Sequence, residues 1–319
     1  MYLGIEIGGT KLQLAVGPGD GGAFVGFERR DINIARGADG ILEQIREAGT
    51  KLLEAHEVKR VGIGFGGPVD HCAGRVITSH QVDGWDNLSL TAWCQQNLNV
   101  PAVLGNDCDC AALAEARFGA GQGSQTVFFV TVGTGIGGAL VIGGELHGQR
   151  RPAVAEIGHL RPGVSADSPA ATVESYASGP GIVASVQTHL GQDGVDDEER
   201  NQLLERCGGD LDRLTAKSVA ELAAEGNLVA RTALVSASIV LGWAIAQIIA
   251  ITAADTVVVG GGVSLIGDER FFQPLRAEVA RYVFPPLLEA YQIVPAAMGE
   301  AVVAHGALAL AAMSERESK

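Results

Sequence analysis

The chain has 319 residues, 47% hydrophobic and 19% charged, which supplies a sizeable core and argues against intrinsic disorder. Acids outnumber bases 37 to 23, for a formal net charge of −14. No basic run offers the footprint that a binder of phosphate backbones needs, so nucleic acid is excluded as a main partner.

The five cysteines, Cys72, Cys94, Cys108, Cys110 and Cys207, are an odd count. The opening MYLGIEIGGTK has no basic stretch before its strand-like pattern. Together these fit a reducing, cytoplasmic setting better than a disulfide framework. From Thr232 to Ala254 the chain carries no charge and is long enough to span a bilayer. Serines, Gln247, Thr252 and many alanines interrupt it, so a buried core helix is predicted and no membrane partner.

In chain order, Leu3, Ile5 and Ile7 alternate with other residues, Gly8-Gly9-Thr10-Lys11 turns, and Leu12, Leu14 and Val16 alternate back, which predicts a hairpin. Ile41, Ile45, Ala48 and Leu52 are spaced for a helix over 40–55. Val58 to Phe65 reads as a strand ending in Gly66-Gly67-Pro68, and Val100 to Leu104 as another. Gly105-Asn106-Asp107 then opens a helix. The pattern repeats: TVFFVTV (126–132) is a strand, GTGIGG a turn, and ALVIGG the return strand. Residues 191–209 are acidic and polar and read as a surface excursion. The long apolar helix follows, then a strand at Thr256 to Val259 that ends in Gly260-Gly261-Gly262. Two halves, each opening on a glycine-turned hairpin, predict two similar α/β domains either side of a cleft.

Glycine is the informative residue type. Its 44 copies are about 14% of the chain, roughly twice the usual share, and they cluster at the ends of apolar strands. Without a Cβ the backbone approaches phosphate oxygens closely, and successive N–H groups form an anion-binding concavity. Gly8, Gly9, Thr10 and Lys11 form one such surface; Gly133, Thr134, Gly135 and Gly137 form a second. Gly62-x-Gly64-x-x-Gly67 satisfies the dinucleotide fingerprint in spacing only, because Pro68-Val69-Asp70 follows where a helix must open. No P-loop motif is present.

IEIGGTK, GIGFGGPVD, NDCDCAALAE, TVGTGIGGALVIGGEL, AEIGHL, ESYASGPGI and VVVGGGVSL occur in the order seen in the ROK (repressor, open reading frame, kinase) family. The resemblance runs from Met1 to about Gly306. It implies a two-domain actin/hexokinase-like ATPase fold, with a smaller domain of residues 1–105 plus 298–319 and a larger one of 106–297. It also implies an ATP- and Mg²⁺-dependent hexose kinase acting on the 6-hydroxyl of glucose. The alternatives are an N-acetylhexosamine or fructose kinase, or a catalytically silent sugar sensor. A small-molecule hexose partner and a homodimer are implied as well.

The resemblance places the general base at Asp107, where a carboxylate at a capped helix start is held in place. It assigns sugar binding to Gly67, Asn106, Asp107, Glu156, His159 and Glu174. If AEIGHL is helical, Glu156 and His159 share one face. Gly260, Gly261 and Gly262 resemble the family's adenosine-side turn. Two departures stand out. Glu6 replaces the Asp that helps hold the magnesium-bound phosphates, which keeps the charge but reaches one methylene further. Three zinc-binding cysteines are replaced by Ser165, Asp167 and Thr172, so no structural zinc is expected at His159. Cys108 and Cys110 are expected to pack in the core.

Overall fold

The computed structural model describes all residues except 80, 150, 152, 164–166, 193 and 318–319. Its elements are, in order, β1 (Tyr2–Ile7), β2 (Lys11–Gly17), β3 (Gly26–Asp31), α1 (Gly37–Ala55), β4 (Arg60–Phe65), β5 (Val69–Asp70), β6 (Arg75–Val76), α2 (Leu90–Leu98), β7 (Ala102–Asn106) and α3 (Asp107–Phe118). Then come β8 (Thr126–Val132), β9 (Ile136–Ile142), β10 (Glu145–Leu146), α4 (Val173–Ala177), α5 (Gly179–Leu190), α6 (Asp197–Arg206), α7 (Ala216–Glu225) and α8 (Leu228–Thr252). The chain ends with β11 (Thr256–Gly260), α9 (Gln273–Tyr282), β12 (Gln292–Pro295) and α10 (Val302–Glu317). Two compact units result: one of residues 1–129, 139–155 and 296–319, the other of residues 130–138 and 156–295.

The first unit is built on a sheet of order β3-β2-β1-β4-β7. β1 runs antiparallel to β2 and parallel to β4, so that Ile5 lies level with Leu14 and Ile63. The period-2 alternation sends Leu3, Ile5 and Ile7 into a cluster with Ile41, Ile45 and Leu52 of α1. The opposite face is floored by glycine. Gly4 and Gly62 are register partners, and a Cβ on them would lie 2.7 Å from the Ala304 oxygen and 1.8 Å from the Ala307 oxygen. α10 therefore lies directly on the strand backbones. Gly306 brings it equally close to α3, since a Cβ there would stand 1.8 Å from the Cys110 oxygen. That backbone contact groups α3 with the first unit, whereas the sequence reading put it in the larger domain.

The second sheet has order β10-β9-β8-β11-β12, with β11 and β12 parallel. α8 is long and apolar enough to cross a membrane by length and composition. In its unit it packs against α4, α5, α7 and α9 and buries Ala233, Ala237, Leu241, Ala244 and Ile245 along one face. The polar stretch 191–209 is more ordered than its composition suggests. Asp196 caps α6 through the Glu198 N–H, and Leu203 anchors the helix in the core.

Candidate active site

β7 hands over to α3 at Asn106, whose extended backbone (φ −70°, ψ 156°) and side chain form the helix cap. Its Oδ1 accepts the Cys108 N–H at 2.7 Å, while Nδ2 donates to the Gly67 carbonyl at 2.9 Å. Asn106 thus fixes the Gly66-Gly67 turn, and both ends of its amide are used. Asp107 begins the helix, its Oδ1 accepting the same Cys108 N–H at 2.8 Å. Gly66 lies between two expected site elements: a Cβ on it would stand 3.5 Å from Asp107 Oδ2 and 3.6 Å from Gly8 Cα. The Asp107 carboxylate and the first glycine turn therefore meet within one unit.

That turn is tighter than the sequence block, with Gly8 donating to the Lys11 carbonyl at 3.0 Å. Glu6 is buried at the end of β1 and pairs with Lys11 Nζ at 3.1 Å. Lys11 Nζ also donates to the Glu300 carbonyl at 3.0 Å. Burial pushes the Glu6 carboxyl up; Lys11 pulls it down, and the Asp107 and Glu300 carboxylates push it up again. Among the described residues, Glu6 Oε2 is buried without a hydrogen-bond partner. An oxygen-seeking cation, or water bound to one, would satisfy that atom, so the donor set fits Mg²⁺.

In the second unit, Glu156, His159 and Glu174 come together without the expected α-helix. Residues Ile157–His159 form a single 3₁₀ turn with Glu156 as its cap, because Gly158 presses against β9, a Cβ there lying 2.0 Å from the Ile136 oxygen. The His159 N–H donates to the Glu156 carbonyl at 3.1 Å, and Val173 donates to the Leu160 carbonyl at 2.9 Å, which ties this turn to α4. Glu174 Oε2 accepts the Ile136 N–H at 2.7 Å. The Glu156 carboxyl is pushed up by desolvation first and by Glu174 as well, with His159 opposing. The residue as a whole is exposed; the desolvation comes from atoms packed around the carboxyl.

The glycines of the second hairpin divide into three kinds. Gly135 serves Glu174, because a Cβ on it would stand 2.6 Å from Oε2. Gly137 lies within β9 and not in the turn. Gly133 and Thr134 line a cavity of about 690 Å³, together with Gly179, Lys217, Gly262 and Val263. Gly261, with φ +87°, is packed on the Val132 backbone, while Gly260 closes β11. The starts of α5 and α7 also reach this cavity. Ser178 caps α5 and Thr215 caps α7 in a capping box with Ser218. Exposed N–H groups at helix starts favour an anion. Sequence reasoning missed the α7 contribution, although Thr215-x-x-Ser218 was a readable signal.

Of the three positions replacing zinc cysteines, Ser165 lies outside the described residues and Asp167 is exposed. Thr172 caps α4, its Oγ1 accepting the Ser175 N–H at 3.2 Å while Ser175 Oγ accepts the Thr172 N–H at 3.1 Å. Cys110 is fully buried, its thiol pushed well up by burial; Cys108 is partly exposed.

The sequence model of the ROK family matches residues 2–314. A glucokinase from Thermotoga maritima is 29% identical over 307 residues, 93% of each chain. An N-acetylmannosamine kinase from Escherichia coli is 33% identical over 230 residues, 67% of this chain and 77% of that protein. A ROK family glucokinase from Streptomyces griseus, solved in complex with glucose and AMPPNP, is 30% identical. It superposes with a TM-score of 0.78 over 98% of this chain and 99% of that one. The fold is thus the actin/hexokinase-like ATPase fold, and the chain belongs to the ROK family.

Proposed function

We propose that the chain is an ATP-dependent hexose kinase that phosphorylates the 6-hydroxyl of glucose, with Asp107 as general base. The observation that carries this reading is the closeness of the Asp107 carboxylate and the Gly8 turn on either side of Gly66. A proton acceptor and a phosphate-binding turn have to meet at the reacting atoms. In the transfer, the sugar oxygen bonds to the γ-phosphorus as the bond to the ADP oxygen breaks, and the hydroxyl proton passes to Asp107.

Lys11 uses two of its three N–H positions on Glu6 and Glu300, which leaves one for a phosphate oxygen. Mg²⁺ accompanying ATP would be held on the Glu6 side and would neutralise phosphate charge. Asn106 and Gly67 shape the sugar turn. Glu156, His159 and the remaining Glu174 oxygen supply acceptors and a donor for sugar hydroxyls. The 690 Å³ cavity takes the nucleotide, with phosphates on Gly133, Thr134 and Gly262. A second reading, a sugar sensor without turnover, draws on Glu6, which its Lys11 partner holds in place of the shorter Asp.

A coupled ADP-release assay with Mg-ATP over hexoses and N-acetylhexosamines separates the two. Turnover on one sugar, reduced about 10²- to 10⁴-fold in Asp107→Ala with sugar binding retained, is expected. Sugar binding without ADP release in the unmodified protein would favour the sensor.

A further inference from the structure

Glu115 has no part in the mechanism above, yet it is a fully buried carboxylate on the same helix as Asp107. It has no basic partner among the described residues. Three backbone N–H groups satisfy it instead: Ala297 and Met298 donate to Oε1 and Ala120 to Oε2, each at 2.8 Å. Gly119 makes room for it, since a Cβ there would stand 2.1 Å from Oε2. Burying a carboxylate is costly unless its lone pairs are taken up, and three amide donors do so here. The position of the 297–298 backbone is therefore dictated from inside α3.

That backbone leads at once into the 3₁₀ turn Gly299–Ala301, whose Glu300 carbonyl accepts Lys11 Nζ. Few rotatable bonds separate the anchored amides from this acceptor, and Gly299, at φ +65°, sets the bend. Lys11 is consequently held from two sides, by Glu6 on its own hairpin and by a carbonyl that Glu115 fixes. Both ends of α3 then bear on the reaction: Asp107 at its first turn, and Glu115 at its last, acting through Lys11.

We infer that Glu115 is a positioning residue for nucleotide binding, which aims the Lys11 ammonium at phosphate by fixing the Glu300 carbonyl. This rests on the kinase reading above for the role of Lys11. The test is a double-mutant cycle read as AMPPNP affinity by calorimetry, with thermal melting in parallel. Lys11→Ala is expected to weaken AMPPNP about tenfold or more, as loss of a charge-assisted hydrogen bond does. Glu115→Ala is expected to weaken it severalfold in the unmodified background and not at all in the Lys11→Ala background.

The cycle is repeated with Glu115→Asp, which keeps the buried charge but falls short of the 297–298 amides. If the alanine variant does not fold, the aspartate cycle decides by the same rule. Losses that add in full, or a Glu115 variant that folds and binds AMPPNP normally, would overturn the inference, as would a Lys11→Ala variant of undiminished affinity. Because the readout is binding, a wild type that binds AMPPNP without turning over refutes the kinase reading and leaves the cycle intact. A wild type that binds no AMPPNP overturns both.

Discussion

Gly133→Ala and Gly262→Ala should move stability and nucleotide affinity in opposite directions. A Cβ at Gly133 would meet nothing nearer than the Gly262 nitrogen at 4.0 Å, and one at Gly262 nothing within 4 Å. Neither residue has a positive φ, so alanine fits both backbones without strain. Each substitution should stabilise the fold by about 0.4–1 kcal/mol, through the smaller entropy of the unfolded chain. Both glycines line the 690 Å³ cavity, however, and the space a methyl would take is where we place phosphate. Displacing one charge-assisted hydrogen bond to a phosphate oxygen costs about 1.5–3 kcal/mol, or roughly a ten- to hundredfold loss of affinity. Calorimetric titration with AMPPNP beside a thermal melt reads both quantities. An unchanged Kd in both variants would refute the assignment of this cavity to the nucleotide.

Gly306→Ala should act on the fold itself. Its Cβ would stand 1.8 Å from the Cys110 oxygen, an overpacking that costs about 3 kcal/mol or more and lowers the Tm by about 6 °C or more; a Tm equal to wild type would contradict the backbone contact. Glu156→Gln tests the pH dependence. The raised native pKa means that the stability linked to this group is full below the ordinary carboxylate value of 4.5 and is lost as pH rises through the native one. The variant should therefore melt higher than wild type at neutral pH and show no such gain in acid; a gain confined to acid would reverse the sign.

Local signals explain what was readable. The two hairpins follow from period-2 alternation around glycine, and the Asn106 cap from an Asx residue at a strand-to-helix junction. What the pattern missed depends on distant partners. Gly135 looks like a phosphate glycine, but Glu174 needs the space. Glu156 and His159 looked like neighbours on an α-helix, but the contact of Gly158 with β9 restricts the segment to one 3₁₀ turn. The sequence reading ends the amino-terminal segment of the smaller domain at residue 105, before α3, because nothing near α3 in sequence announces the α10 backbone beside Cys110. Glu115 carries no local signal in NDCDCAALAE, since its three donors lie outside the helix.

The glycine floor beneath α10 also governs the order in which the molecule can be completed. The Tyr2 hydroxyl donates to Glu315 Oε2 at 2.7 Å across a separation of 313 residues, and the glycines of β1 and β4 have no side chains with which to cover themselves. Without residues 302–317 the face of the sheet at Gly4 and Gly62 lacks the helix that lies on it, while Cys110 of α3 still covers Gly64 and Gly105. Contacts at that separation close late, because loop closure must precede them. A partly folded species with this sheet formed and α10 undocked would expose that glycine backbone, and it is there that aggregation should concentrate.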